Sequence, residues 1–323
     1  MNLQLRTPTT SSNFRLGPAR YLILLLIVVL TACGTDEPFP ATQEDLPPGV
    51  GPAYNVFIVN TDLEVGTNRV VFGIADENVF PVRSDTARVQ AVFVAADQNE
   101  EQGEVRHTST ARWQDWPPEG SGRGVFVTTI NFDQAGEGSQ ADPAFWQLRV
   151  DATTAEGRRV QAQAVTGVRA QALSHGIGDP APASVTPTVN DVTDLATITS
   201  ATTPDPDLYR LSIHQALQED KPLVVVFSTP AFCASATCGP QVEMLSQVKE
   251  KYSDRANFIH VEVFEDPHLI AGRNTGQPVP AFSEWRLIAE PWTFVVGRSG
   301  LVRAKFEQFT TAEEIEAALL EAF

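Results

Sequence analysis

The stretch Lys221-Pro-Leu-Val-Val-Val-Phe227, continued by Ser228-Thr-Pro-Ala-Phe-Cys-Ala-Ser-Ala-Thr-Cys-Gly-Pro240, decides how the C-terminal third of the chain reads. The apolar run up to Phe227 has no polar alternation, as expected of a central strand buried on both faces. Gly239-Pro240 then opens a helix with proline at the first helical position, and Val242, Leu245, Val248 and Tyr252 fall on one stripe of it. Cys233 and Cys238 therefore sit in a strand-to-helix turn. Working outward, Phe258-Ile-His-Val-Glu-Val263 is a second strand, and Thr293-Phe-Val-Val296 and Leu301-Val-Arg-Ala-Lys-Phe306 flank a Gly297-Arg-Ser-Gly300 turn as an antiparallel hairpin. Ser212-Ile-His-Gln215 is a capping-box start for a short helix ending near Gln218. Thr311-Ala-Glu-Glu314 caps a last amphipathic helix, with Ile315, Ala318 and Leu319 on one side. The expectation is a small mixed sheet with helices on both faces.

A helix N-terminus presents unpaired N–H groups and a positive dipole end, which favour thiolate over thiol, so Cys238 is placed where its sulfur would be activated. In a continuous helix, residues five apart lie about 7.5 Å apart along the axis, too far for an unstrained disulfide. Either 233–238 is a loop that can close the bond, or a helical turn must unwind for it to form.

With the strand Val224-Val-Val-Phe227, the cysteine turn Thr229 to Pro240, and Glu290-Pro-Trp-Thr293 before the hairpin, residues 206–323 resemble a thioredoxin-like domain. The resemblance implies an α/β thioredoxin-like fold, a cis proline at Pro291 packed against the active cysteine, and thiol-disulfide exchange. In that reading Cys238 attacks a substrate disulfide, Cys233 resolves the mixed disulfide, and Pro291 shapes the substrate groove; the two sulfurs could exchange roles. No cofactor is implied. The chain departs from the family motif, because four residues separate the cysteines, Gln241 stands where Cys-Gly-Pro-Cys has its second cysteine, and Val224-Val-Val-Phe-Ser228 offers no buried acid.

Other readings of the same residues stay open. The spacing after Thr229-Pro230 resembles one atypical group of peroxiredoxins, although Val225 stands where that group has proline. Sco-type copper chaperones use a cysteine pair with a histidine before the hairpin strand, where this chain has Glu290-Pro291; His268 is then the plausible third ligand, since two soft sulfurs could hold copper(I). A structural disulfide in a non-enzymatic binding or assembly protein is the plainest alternative.

At the other end, residues 1–20 carry Arg6, Arg15 and Arg20 and no acid, followed by the ten-residue apolar run from Tyr21 to Leu30 and then Thr31-Ala-Cys33. The run is about half the length that spans a bilayer and suits a signal-peptide core. Leu30-Thr-Ala-Cys33 resembles a bacterial lipoprotein lipobox, which implies cleavage after residue 32, acylation of Cys33, and an extracytoplasmic protein held to a bacterial membrane by lipid.

Residues 33–53, with five prolines, read as a tether. Between 54 and 170, seven alternating segments, such as Ala87, Val89, Ala91, Phe93 and Trp146, Leu148, Val150, Ala152, suggest an immunoglobulin-like β-sandwich. Trp113 and Trp116 read as packing rather than a ligand platform. Residues 171–205 read as a linker, so the expected fold class is two-domain, an all-β sandwich followed by the α/β domain. The 323-residue chain has 23 Lys+Arg against 40 Asp+Glu, a net charge of −17, which repels phosphate and argues against nucleic acid as a partner. Envelope protein thiols or disulfides are the expected partners.

Overall fold

Seven strands form between Tyr54 and Thr166: β1 (Tyr54–Ile58), β2 (Gly66–Asp76), β3 (Thr86–Val94), β4 (Glu104–Asp115), β5 (Gly124–Phe132), β6 (Phe145–Thr153) and β7 (Arg159–Thr166). The computed structural model describes residues 54–117, 121–233, 235–271 and 276–323; the leader, Cys33 and the tether lie outside the described residues. All the pairings among the seven strands are antiparallel, and they make one continuous sheet in the order β1-β2-β5-β4-β3-β6-β7. β1 and β7 come together at the ends of this sheet, and just beyond them Arg169 accepts from the Val65 N–H and donates to the Leu63 carbonyl, each at 2.9 Å.

This corrects the expected immunoglobulin-like sandwich. A sandwich divides its strands between two facing sheets, whereas here a single sheet curls until it nearly closes as a barrel. Its interior is filled by one face of every strand, including Val70, Phe72, Val89, Ala91, Phe126, Ile130, Phe132, Trp146 and Leu148. Phe132 meets Trp146 edge-on at 4.9 Å, Phe72 stacks on Phe126 at 5.3 Å, and the Trp146 indole donates to the Gln134 carbonyl. Full burial of each such side chain contributes about 1.5–3 kcal/mol.

The second sheet has the order β11-β10-β8-β9, from β8 (Leu223–Ser228), β9 (Asn257–Glu262), β10 (Trp292–Val296) and β11 (Val302–Glu307). β8 and β9 are parallel, and β10 is antiparallel to both β8 and β11. One face, carrying Val224, Val226, Phe258 and Val295, is covered by α2 (Cys238–Tyr252) and α4 (Ala312–Ala322). The other face, carrying Val225, Phe227, Ile259 and Phe294, has only the single-turn helices α1 (Ile213–Ala216) and α3 (Pro280–Glu284), with Trp285 filling the space between.

The expectation of an α/β thioredoxin-like fold with helices on both faces is therefore corrected as well. The described chain is mostly β, two sheets with four short helices, and both helices longer than five residues lie on one side. Pro267 and Pro278, ahead of α3, each remove a donor and restrict the residue before them, and Pro280 opens α3, which runs for a single turn. Residues 171–205 are not a bare connector. Val189, Leu195 and Ile198 pack onto the α2–α4 core, and Thr186, Thr188 and Thr199 are buried. The described residues form one compact unit, and none of their helices is long and apolar enough to cross a membrane.

The barrel and the second sheet are joined by polar side chains. Glu307, at the end of β11, is buried and accepts from the Thr61 N–H at 2.7 Å, the Thr61 hydroxyl at 2.6 Å, Asn60 Nδ2 at 3.3 Å and the Asp62 N–H at 3.4 Å. Burial pushes the Glu307 carboxyl above its ordinary pKa, outweighing these donors. A carboxyl whose folded pKa is raised contributes stability that is present below the ordinary carboxylate range and is lost as pH rises through the shifted value. Glu307→Gln, which keeps the acceptor toward Thr61 and removes the charge, should thus gain stability relative to the wild type as pH rises from 4 to 8. Urea midpoints for the two chains across that range are the check, and a difference that is flat or falls with pH would contradict it.

Candidate functional site

β8 ends at Ser228, deep in the sheet, and the chain must then turn back to start α2 on its face. Ala236 adopts a left-handed conformation, φ 58°, within that turn, and Thr237 caps the helix without a side-chain bond. Residues 233–238 are thus a loop, and Cys233 and Cys238 are joined as a disulfide with their Cα atoms 5.9 Å apart. α2 begins at Cys238 itself, two residues earlier than the proline signal suggests. Pro240 falls third in the helix, where a missing N–H still breaks no intrahelical bond. Cys238 is fully buried while Cys233 is half-buried, its sulfur accepting from the Ser235 hydroxyl at 3.2 Å.

Gln241 is buried one turn into α2. Its amide donates to Thr293 Oγ1 at 3.1 Å and its carbonyl accepts from the Thr310 N–H at 2.8 Å. The residue that stands where the resemblance expects a second cysteine instead ties α2 to β10 and to the approach to α4.

The Glu290–Pro291 peptide is cis, and Pro291 leads directly into β10. Glu290 is the residue that sequence reasoning passed over. One of its carboxylate oxygens and the sulfurs of Cys233 and Cys238 all lie within 4.8 Å of one another. Its Oε2 is buried and has no hydrogen-bond partner, and no cation faces it among the described residues. Burial, reinforced by the neighbouring Glu262 carboxylate and only partly offset by the Thr229 N–H, pushes its pKa up to about 8. The one signal available in the sequence is an acid placed between Ile288-Ala289 and the apolar run after Pro291, where solvation is poor. His268, the histidine considered as a third ligand beside the cysteines, lies exposed in the turn Pro267–Leu269 and is not in this cluster.

Behind the disulfide a buried polar chain fixes the loop. Glu262 accepts from the Ser200 N–H at 2.8 Å and its hydroxyl at 2.7 Å, and from the Val263 N–H at 3.0 Å; Ser200 Oγ in turn accepts from the Ala231 N–H at 3.1 Å. Next to it, His260 Nε2 donates to the Ser228 carbonyl at 3.1 Å, so Nδ1 accepts from the Tyr209 hydroxyl at 2.6 Å. Burial holds His260 below its usual pKa and Tyr209 above its own, which keeps both neutral. A cavity of about 460 Å³ opens beyond this pair, between residues 185–198 and the end of β9. No family model and no curated protein matches the chain.

Proposed function

We propose that the chain carries out thiol-disulfide exchange through the Cys233–Cys238 pair. The observation that carries this reading is the asymmetry of the pair: one sulfur is reachable from solvent, and the other is buried in the first turn of a 15-residue helix. An incoming thiolate attacks Cys233 Sγ. The Cys233–Cys238 bond breaks, and its electron pair leaves on Cys238, whose thiolate is stabilised by the free N–H groups of α2. A leaving thiol of lowered pKa departs faster. A second thiolate of the substrate then attacks the substrate sulfur of the mixed disulfide and expels Cys233, so the substrate is oxidised as the pair is reduced; the reverse sequence reduces a substrate disulfide. This makes Cys233 the sulfur that meets the partner and Cys238 the resolving one.

A five-residue separation supports exchange over a structural staple. Closing so short a loop removes only about 2 kcal/mol of unfolded-chain entropy, against about 4.7 kcal/mol for a 100-residue loop. The lipobox-like Leu30-Thr-Ala-Cys33 supports an extracytoplasmic, lipid-anchored setting, with protein thiols or disulfides of the envelope as partners. The test is the reduction potential of the pair, titrated with thiol buffers and read by alkylation mass. A potential between about −120 and −270 mV, where exchangers lie, is expected; a bond that persists below about −300 mV, or until the chain unfolds, makes the pair structural.

A further inference from the structure

The disulfide and Glu290 have a chemical consequence that exchange does not use. Glu290 offers a carboxylate oxygen within 4.8 Å of both sulfurs, its Oε2 is buried without a donor, and no side-chain cation stands opposite it among the described residues. The charge that acts on it is that of a second carboxylate, Glu262, which opposes its ionisation. While the sulfurs are bonded to each other they carry no charge and are poor donors. Two-electron reduction converts them into two thiols on a loop and a helix end that already hold them together, beside an acid whose Oε2 has no donor among the described residues. The local charge then becomes strongly negative wherever the thiols ionise.

We propose that reduction of the Cys233–Cys238 bond creates a binding site for a thiophilic divalent cation of the Zn²⁺ type, with the two thiolates and the Glu290 carboxylate as its protein ligands. Two sulfurs and one oxygen suit Zn²⁺, which takes thiolate at about 2.3 Å and carboxylate at about 2.0–2.2 Å in tetrahedral geometry. The soft sulfurs select against Mg²⁺ and Ca²⁺, which take oxygen. Three protein ligands leave the fourth position to solvent or to a ligand atom of a partner, and the half-buried flank at Cys233 is where such an atom would enter. The site is gated by redox state: the cation displaces the thiol protons when it binds the reduced pair, and exchange with an incoming disulfide, which takes the two electrons and leaves as two thiols, re-forms the Cys233–Cys238 bond, removes two of the three ligands and releases the cation. Binding requires only that the bond be reducible in the folded chain, and so stands apart from whether the pair exchanges with a protein partner.

The experiment uses the full chain carrying Cys33→Ser, so that Cys233 and Cys238 are its only cysteines. A phosphine in water reduces the bond to two thiols and becomes the phosphine oxide; alkylation mass scores the reduction. Zn²⁺ is then titrated in competition with a chromophoric chelator. One equivalent is expected to bind to the reduced chain and none to the oxidised chain, which also controls for non-specific uptake by the acidic surface. Cys233→Ser, which alters only a loop residue, should abolish this binding, and Glu290→Gln should weaken it at least about tenfold. A second readout does not depend on any variant: free Zn²⁺ should move the midpoint of the pair to a less negative potential by about 30 mV for each tenfold excess over its Kd. The proposal is overturned by equal uptake in the two redox states, by no uptake in the reduced chain, by a bond that yields only on unfolding, or by Glu290→Gln binding as tightly as the wild type.

Discussion

Cys238→Ser should leave a chain that couples to an aromatic or peptide disulfide through Cys233 and remains coupled, while Cys233→Ser should form almost no adduct in the folded state. The argument rests on access. Cys233 is half-buried on a loop held at its base by the Ala231 bond to Ser200, so a disulfide can approach its sulfur without any opening of the structure. Cys238 is fully buried in the first turn of α2 and can be reached only through a local opening, which reduces its reactive population. The difference in adduct rate should be on the order of 100-fold or more, beyond what helix-end activation of Cys238 returns. In the wild type, once its bond has been reduced, the same adduct should be transient, because Cys238 lies within bonding distance of Cys233 and resolves it by expelling the reagent thiol. The measurement is adduct mass against time for the two variants and the wild type, all with Cys33→Ser, under native conditions and in denaturant. If the variants react at equal rates when native, the assignment of Cys233 as the entry sulfur fails; equal rates only in denaturant confirm that burial sets the order.

The elements of this chain are more legible in its sequence than their assembly. Alternation in Ala87, Val89, Ala91 and in Trp146, Leu148, Val150 marks one buried face on each strand, and those residues do line one core. Alternation says nothing of how many sheets share that core. β5 pairs with β2 and β4, and β6 with β3, pairings set by complementary packing over long stretches of chain, and these close one barrel-like sheet where two were expected. Capping boxes are local, which is why Ser212 and Thr311 mark α1 and α4 correctly. On the second face only the single turns α1 and α3 form, and Pro267 and Pro278 restrict the chain ahead of α3.

The candidate site divides in the same way. Cys233, Cys238 and Pro291 stand out by residue type and setting. Glu290 does not, because its significance comes from cysteines more than fifty residues away and from its buried Oε2, which has no donor among the described residues. Ser200 is hidden by its surroundings: a stretch of Thr, Pro and Asp reads as solvated, yet one serine in it bonds both Glu262 and the cysteine loop. Polar residues carry no period, so a burial that depends on mutual hydrogen bonding cannot be read from any one of them.

The largest stability effect should come from such a residue. Arg69, on β2, is expected to cost about 3–5 kcal/mol when replaced by methionine, because its side chain is only 13% exposed and all three of its guanidinium nitrogens donate. Nε and Nη2 reach the two oxygens of Glu314 at 2.8 and 2.9 Å; Nη2 also donates to the Phe309 carbonyl at 2.8 Å and to Gln114 at 3.3 Å, and Nη1 to the Glu307 carbonyl at 3.3 Å. Glu314 is at the same time the acid of the α4 capping box, accepting from the Thr311 N–H at 3.1 Å. Removing the guanidinium strands a partly buried carboxylate and takes a donor from two carbonyls, and loosens the cap of the helix that covers β10 and β8. In a chain of this size the loss corresponds to roughly 10 °C in Tm. The exposed pair Arg159–Asp151, 2.6 Å apart, is the contrast: Arg159→Ala should leave the unfolding midpoint almost unmoved, since water replaces what it loses. A cycle with Glu314→Gln separates the pair from its surroundings, and the double variant should cost less than the two singles together because the second change removes the stranded charge. Were Arg69→Met to cost under about 1 kcal/mol, or the two substitutions to add, the join between barrel and second sheet would rest on Glu307 and the apolar contact of Trp116 with Phe309 instead.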